Sequence, residues 1–211
     1  MIVQAEDMAK AVRVAVDMNH NSTPLLVDDD IDTISFDEII YAKLVDAVRV
    51  VEQEAPIKLL EQGHQFGRDN VNWMENGKGW IILPDDFMRL VVFKMSDWKI
   101  SISDAIGQDD PLYIRQFSRW KGISGNPENP VVAIVNRAEG NVLEFFSCND
   151  NTATIEQAVY VPYPKIDIDG GIDVSEKCYR AAIYRAASFA LASIGDQLST
   201  TMLELSKSLL T

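Results

Sequence analysis

The order of helix-like and strand-like segments predicts an α+β protein, a helical bundle formed by the N- and C-terminal helices with an inserted, mainly antiparallel β module. Three observations predict it. Apolar residues recur at spacings of three and four near both ends of the 211-residue chain. The middle is rich in β-branched and aromatic residues broken by Gly, Pro, Asp and Asn. Strands do not alternate with helices, which argues against a doubly wound parallel sheet. The expected divisions are 1–76 for the N-terminal helices, 77–165 for the β-rich module, and 166–211 for a long C-terminal helix completing the bundle.

Each element has a local reason. Met8, Val12, Ala15 and Val16 share one face of a helix over 4–19. Asn19 to Pro24 then break the pattern, and Asp28-Asp29-Asp30 reads as a solvated acidic connector. Ser35 followed by Glu38 is a capping box, and Ile40, Leu44, Ala47, Val48 and Val51 form the stripe of a second helix that Pro56 ends near Glu54. Strands are expected over 79–83, 88–95, 98–103, 131–136, 141–148 and 154–161. Ala138-Glu139-Gly140-Asn141 reads as a hairpin turn, 111–120 as a short helix, and 122–130 as an exposed loop. Asp173, with Glu176 three residues on, is expected to cap the last helix. Its stripe of Tyr179, Ala182, Ile183, Ala186, Ala190 and Ile194 is interrupted by Gly195, where Asp196 can cap again.

Composition narrows the function classes. With 47% hydrophobic and 24% charged residues, the chain is neither disordered nor low-complexity. No apolar run reaches the roughly 18 residues of a membrane span, and the first residues lack the pattern of a secretory signal. The formal net charge of −13 disfavours sequence-independent grip on nucleic acid and docking to an anionic membrane. Cys148 and Cys178 form no CxxC pair and are expected as buried, reduced thiols of a reducing cytoplasm.

Candidate chemistry is sparse. P-loop, GxGxxG, HExxH and GxSxG patterns are absent. The two histidines, His20 and His64, have no metal-ligand spacing. Asp167, Asp169 and Asp173 lack the register of a calcium loop, because Gly171 stands where an acidic ligand belongs. Asp85 and Asp86 after Pro84 read as a turn. Trp73, Trp80, Trp98 and Trp120 with Tyr113, Arg115 and Arg119 interleave aromatic and basic residues, a pattern shared by single-strand platforms and by packed β cores with an interface rim. No catalytic, cofactor or metal residue is therefore assigned.

Three stretches resemble the head-to-tail connector, or adaptor, proteins of tailed bacteriophages. They are EIIYAKLVDAVRVV (38–51) running to Pro56, LPDDFMRLV (83–91), and YRAAIYRAA (179–187) followed by Leu191 and Gly195-Asp196. Their order and spacing over residues 35–208 carry the resemblance; the first 30 residues and the β module would be decoration of the kind seen in crAss-like gut phages with multi-ring necks. The resemblance implies a virion protein without enzymatic activity, assembled in the host cytoplasm. It implies a neck ring, usually of twelve copies, beneath the portal, which extends the DNA channel and joins capsid to tail. Its partners would be other copies of itself, the portal, and neighbouring tail or neck rings. Duplex DNA would pass through the lumen without specific binding, and no membrane is involved. In such proteins the C-terminal segment often reaches the portal or a neighbour, so Leu198, Met202, Leu205, Leu209 and Leu210 are the expected interface residues. Two alternatives remain: another virion ring or tail-completion scaffold, and a cytosolic ligand-binding or hydrolytic protein with an acidic site around Asp85, Asp86, Asp167 and Asp169.

Overall fold

The computed structural model describes residues 1–16, 35–61, 63–67, 71–118, 120 and 123–211. In chain order these form β1 (Ile2–Gln4), α1 (Ala5–Ala15), α2 (Phe36–Glu54), β2 (His64–Gln65), β3 (Asn72–Trp73), β4 (Gly79–Ile82), β5 (Phe87–Met95) and β6 (Ile106–Gly107). They continue with α3 (Pro111–Arg115), β7 (Val132–Arg137), β8 (Gly140–Phe145), β9 (Ile155–Pro162), β10 (Gly171–Asp173), α4 (Tyr179–Ser193) and α5 (Leu198–Ser208). The fold is α+β. It divides into two compact units: Met1–Glu61 with Tyr163–Thr211, and Gln62–Pro162. His20, the Asn19 to Pro24 breaker, Asp28 to Asp30 and Arg119 lie outside the described residues.

In the first unit, α1, α2 and α5 each pack against α4. Ser35 Oγ accepts the Glu38 N–H while the Glu38 carboxylate accepts the Ser35 N–H, so α2 starts at the capping box. Its stripe of Ile40, Leu44, Ala47, Val48 and Val51 is fully buried. Helix α4 buries Ala181, Ala182, Ala186, Ala187 and Ala190, small side chains that let neighbouring helices approach from several sides. Gly195, at φ +73°, ends α4; a side chain there would be strained. The Asp196 carboxylate then accepts the Leu198 N–H, so two helices form in place of a single long one.

Helix α4 does not begin at Asp173, as the local pattern predicts. Asp173 lies in β10, which pairs antiparallel with β1 in the register Ile2↔Asp173 and Gln4↔Gly171. A 3-10 turn over Glu176–Cys178 leads into α4, and its free N–H groups are met by distant carboxylates. Glu52 accepts from the Ser175 N–H at 2.7 Å, and Glu61 accepts from the Glu176 N–H at 2.9 Å.

The second unit holds two sheets. One is antiparallel, in the order β2-β9-β5; the other runs β3-β4-β8-β7-β6, with β6 joining β7 in parallel. Leu90, Phe93, Met95 and Tyr160 from the first sheet and Ile81, Leu143 and Phe145 from the second form one core. Strand β8 is buried on both faces. Leu143 and Phe145 enter that core, while Val142 and the adjoining Phe146 pack on the opposite face with Ala133 and Val135. The expected strand over 98–103 does not form. Trp98 turns inward, edge-on to Phe93 at 5.5 Å, and only a single bridge, Phe93↔Ile102, remains. The consecutive exposure of Lys99 and Ile100 breaks the alternation a strand needs.

Candidate functional site

The five C-terminal residues singled out by the sequence separate into two groups. Leu198, Leu205 and Leu209 stand exposed on α5 and its C-cap. Their spacings of seven and four place them along one side of the helix. Met202 packs, half-buried, against the helical core, and Leu210 is buried with Val51, Ala55, Cys178 and Ala181. These two belong to the interior of the unit. Polar contacts hold α5 in place: Ser206 Oγ donates to the Ala181 carbonyl at 2.8 Å, and Ser188 Oγ donates to the Ser199 carbonyl at 2.8 Å. The buried Arg185 guanidinium pairs with Glu54 and donates to Ser206. The apolar side of α5 is thus presented on a fixed helix.

A second apolar surface is marked by the sequence only in part, through Trp120 in the pattern that reads as a packed core with an interface rim. Helix α3 and the loop after it expose Leu112, Ile114 (74%), Phe117, Trp120 (75%) and Ile123. Leu112 and Ile114 are two residues apart and the helix ends at Arg115, so helical periodicity does not mark these residues as one surface. The inner side of the same segment is anchored. Tyr113 Oη donates to Glu144 Oε2 at 3.0 Å, and Tyr113 and Phe117 both lie edge-on to Phe146. Gln116, 2% exposed, accepts the Gly125 N–H at 2.7 Å through its side chain, and its backbone carbonyl accepts from Lys78 Nζ at 2.6 Å. Glu144, 1% exposed, is an interior anion on β8 paired with Arg137, whose guanidinium lies 5.1 Å from the Trp80 ring centre. Burial, followed by the Glu144 contact, pushes the Tyr113 phenol up to about 12, so it stays a donor at neutral pH. Burial lowers the Lys78 ammonium from its ordinary value.

The remaining candidates lie apart from one another, some in packing contacts and some exposed. Asp86 accepts from Tyr160 Oη at 2.9 Å, at the turn where the Phe87 N–H donates to the Pro84 carbonyl. Asp167 lies in the turn before β10, where its carbonyl accepts the Gly170 N–H, and neighbouring Asp169 is exposed. Asp85 and Asp86 belong to the second unit, and Asp167 and Asp169 to the first. Among the described residues, no group of three His, Cys, Asp or Glu is placed to hold a metal ion. His64 is exposed on β2, beside the Tyr160 ring. Cys148 and Cys178 are buried and unpaired, and burial pushes their thiols up to about 12 and about 11. Neither is a thiolate at neutral pH. Trp73 packs on Phe145, Trp80 lies by Arg137 and Trp98 packs on Phe93, which leaves Trp120 alone among the four tryptophans to offer a stacking face. A cleft of about 490 Å³ beside the α3 segment is lined by Asn76, Lys78, Ser124, Asn126 and Asn149 among others; it pairs no acid with a base.

No family model matches this chain, and no curated protein matches it. What distinguishes the molecule is therefore its own surface. Two anchored elements, α5 and the α3 segment, show large apolar side chains to solvent. Among the described residues, no helix is long and apolar enough to cross a membrane.

Proposed function

We propose that this chain is a virion structural protein of a tailed phage, a neck ring adaptor that docks below the portal, extends the DNA channel and joins the capsid to the tail. The observation that carries the reading is the pair of exposed apolar surfaces on rigid elements of a protein with a net charge of −13. Such surfaces on an otherwise charged protein mark contacts with other proteins. The resemblance in the order of 38–51, 83–91 and 179–187 supplies the class of contact. Helices from the two chain ends act as the bundle of the adaptor, and the β module is its insertion. The protein works without catalysis: copies close into a ring, usually of twelve in such adaptors, and the acidic chain lets duplex DNA slide past without adhering.

Size-exclusion chromatography with light scattering over a concentration series, followed by negative-stain imaging, tests this. The expected result is closed rings of about a dozen copies, formed alone or on purified portal. A chain that stays monomeric alone and also fails to join portal particles overturns it.

A further inference from the structure

We infer that the cleft beside the α3 segment is a binding site for a small organic oxyanion, a carboxylate or phosphate carried on a short apolar or ring body, with Lys78 as the cation that holds it. The cleft lies wholly within the second unit, so the inference does not depend on how copies of the chain meet.

The lining selects the charge of the ligand. Among the described residues around the cleft, Lys78 is the one ionised side chain; the others are Asn, Ser, Gly, Pro, Phe and the neutral Cys148. The acids nearby are engaged elsewhere. Glu128 pairs with Lys99, and Asp97, which does not line the cleft, accepts the Asn149 N–H at 2.7 Å. The Lys78 ammonium itself meets only neutral groups. It donates to the Gln116 carbonyl at 2.6 Å and lies 5.2 Å from the Phe117 ring centre. Burial lowers it from its ordinary value, as expected for a cation partly withdrawn from water without a counter-ion. An oxyanion entering the cleft supplies the missing opposite charge, in a place where the attraction is less screened than on an open surface. A single cation in a hollow suits one anionic group, whereas a nucleic-acid backbone needs a row of them.

The polar groups are held in place beforehand, which lowers the entropy lost on binding. The Lys78 carbonyl accepts the Met74 N–H at 2.8 Å, and the adjoining Gly77 N–H donates to Asn151 Oδ1 at 3.1 Å. Asn126 Oδ1 accepts the N–H groups of Glu128 and Asn129 at 2.9 and 3.0 Å. That fixes the amide with its oxygen spent and its NH2 unengaged among the described residues, a donor suited to an anion. Ser124 adds a hydroxyl, and Phe146 and Pro127 add an apolar wall for the body of the ligand. The volume of about 490 Å³ falls within the range of small-molecule sites.

Proton–nitrogen correlation spectra of the full chain test this. Sodium phosphate or sodium benzoate is added up to about 50 mM at constant ionic strength, a range that saturates a site with a Kd of about 1 mM. At least one probe should shift the signals of Lys78, Gly125, Asn126 and Asn149 saturably, and the tighter of the two says whether the head group is a phosphate or a carboxylate. Two variants locate the site. Lys78→Met removes the cation. Asn126→Asp keeps an acceptor for the Glu128 and Asn129 N–H groups while placing an anion at the wall, so it should fold as the wild type does. Each should weaken binding by about tenfold or more. Lys207→Met, exposed on α5 in the other unit, should leave binding unchanged. The inference fails if neither probe gives saturable shifts, if the shifts spread evenly over the surface lysines, or if Asn126→Asp binds as the wild type does.

Discussion

Glu144 in the β unit and Glu52 in the helical unit are both almost withdrawn from water, at 1% and 5% exposure, yet they are satisfied in different ways. Glu144 meets a full cation, Arg137, and a phenol, Tyr113. Glu52 accepts from the backbone N–H of Ser175 at the start of the turn into α4. Burial raises the Glu52 carboxyl above its ordinary range despite that bond. The first arrangement holds a surface element, α3, onto a sheet. The second ends a strand and starts a helix. An interior carboxylate paired with a cation is costly to break, whereas one held by a neutral donor can lose its charge and keep its bond.

Substitutions can break this contrast. Glu144→Ala should have the largest effect, on the order of 3 kcal/mol, because it empties a buried site and takes their shared partner from the half-buried Arg137 and Tyr113. Urea unfolding followed by tryptophan fluorescence reads it; a loss below about 1 kcal/mol would mean that the pair does not hold the sheet face together. Ala186→Leu in α4 comes next. Ala186 is fully buried, so added volume should cost about 1–3 kcal/mol in thermal or chemical unfolding. A neutral result would show that the helices around α4 have room to separate. Ser35→Ala removes half of the capping box and should cost about 1 kcal/mol, seen as a small loss in midpoint with an unchanged denaturant slope.

Glu52→Gln sharpens the contrast with the smallest effect, a gain of under about 1 kcal/mol at pH 7, because the amide oxygen keeps the Ser175 bond without the buried charge. The sign follows from the raised carboxyl. The native state favours the protonated form, so that stabilising contribution is present below the ordinary value of 4.5 and is lost as pH rises through the raised one. The gain of the amide over the wild type should therefore vanish as pH falls toward 4.5. Melting temperatures of the two proteins measured side by side from pH 4 to pH 8 test it; a constant or reversed difference rules it out.

Much of the local fold is legible in the residues themselves. The capping box at Ser35, the β-branched and aromatic runs of β5 and β9, and the β7–β8 hairpin around Ala138 and Glu139 all act over a few positions, and each forms close to where the pattern puts it. One local signal was open to reading and missed. Asn76-Gly77, both at positive φ, makes the turn between β3 and β4. A side chain at Gly77 would also collide with the Cys148 carbonyl. The candidate surfaces were half legible. The Leu198, Leu205 and Leu209 spacing marks an apolar helix side, but only packing separates it from Met202 and Leu210, which the core takes up.

By itself the sequence determined the helix that carries its own capping box, the strands rich in β-branched and aromatic residues, and a charge that disfavours nucleic-acid grip. The tertiary structure alone decided how the chain enters α4, since the carboxylates that receive the Ser175 and Glu176 N–H groups of the preceding turn come from Glu52 and Glu61, more than a hundred residues earlier. It also decided that β1 pairs with β10, that Glu144 finds Arg137 and Tyr113, and that the outer side of α3 is left uncovered. The reason is one of range. Caps, turns and periodicity act within about four residues, whereas burial and ion pairing depend on which distant segment arrives, and no local pattern records that.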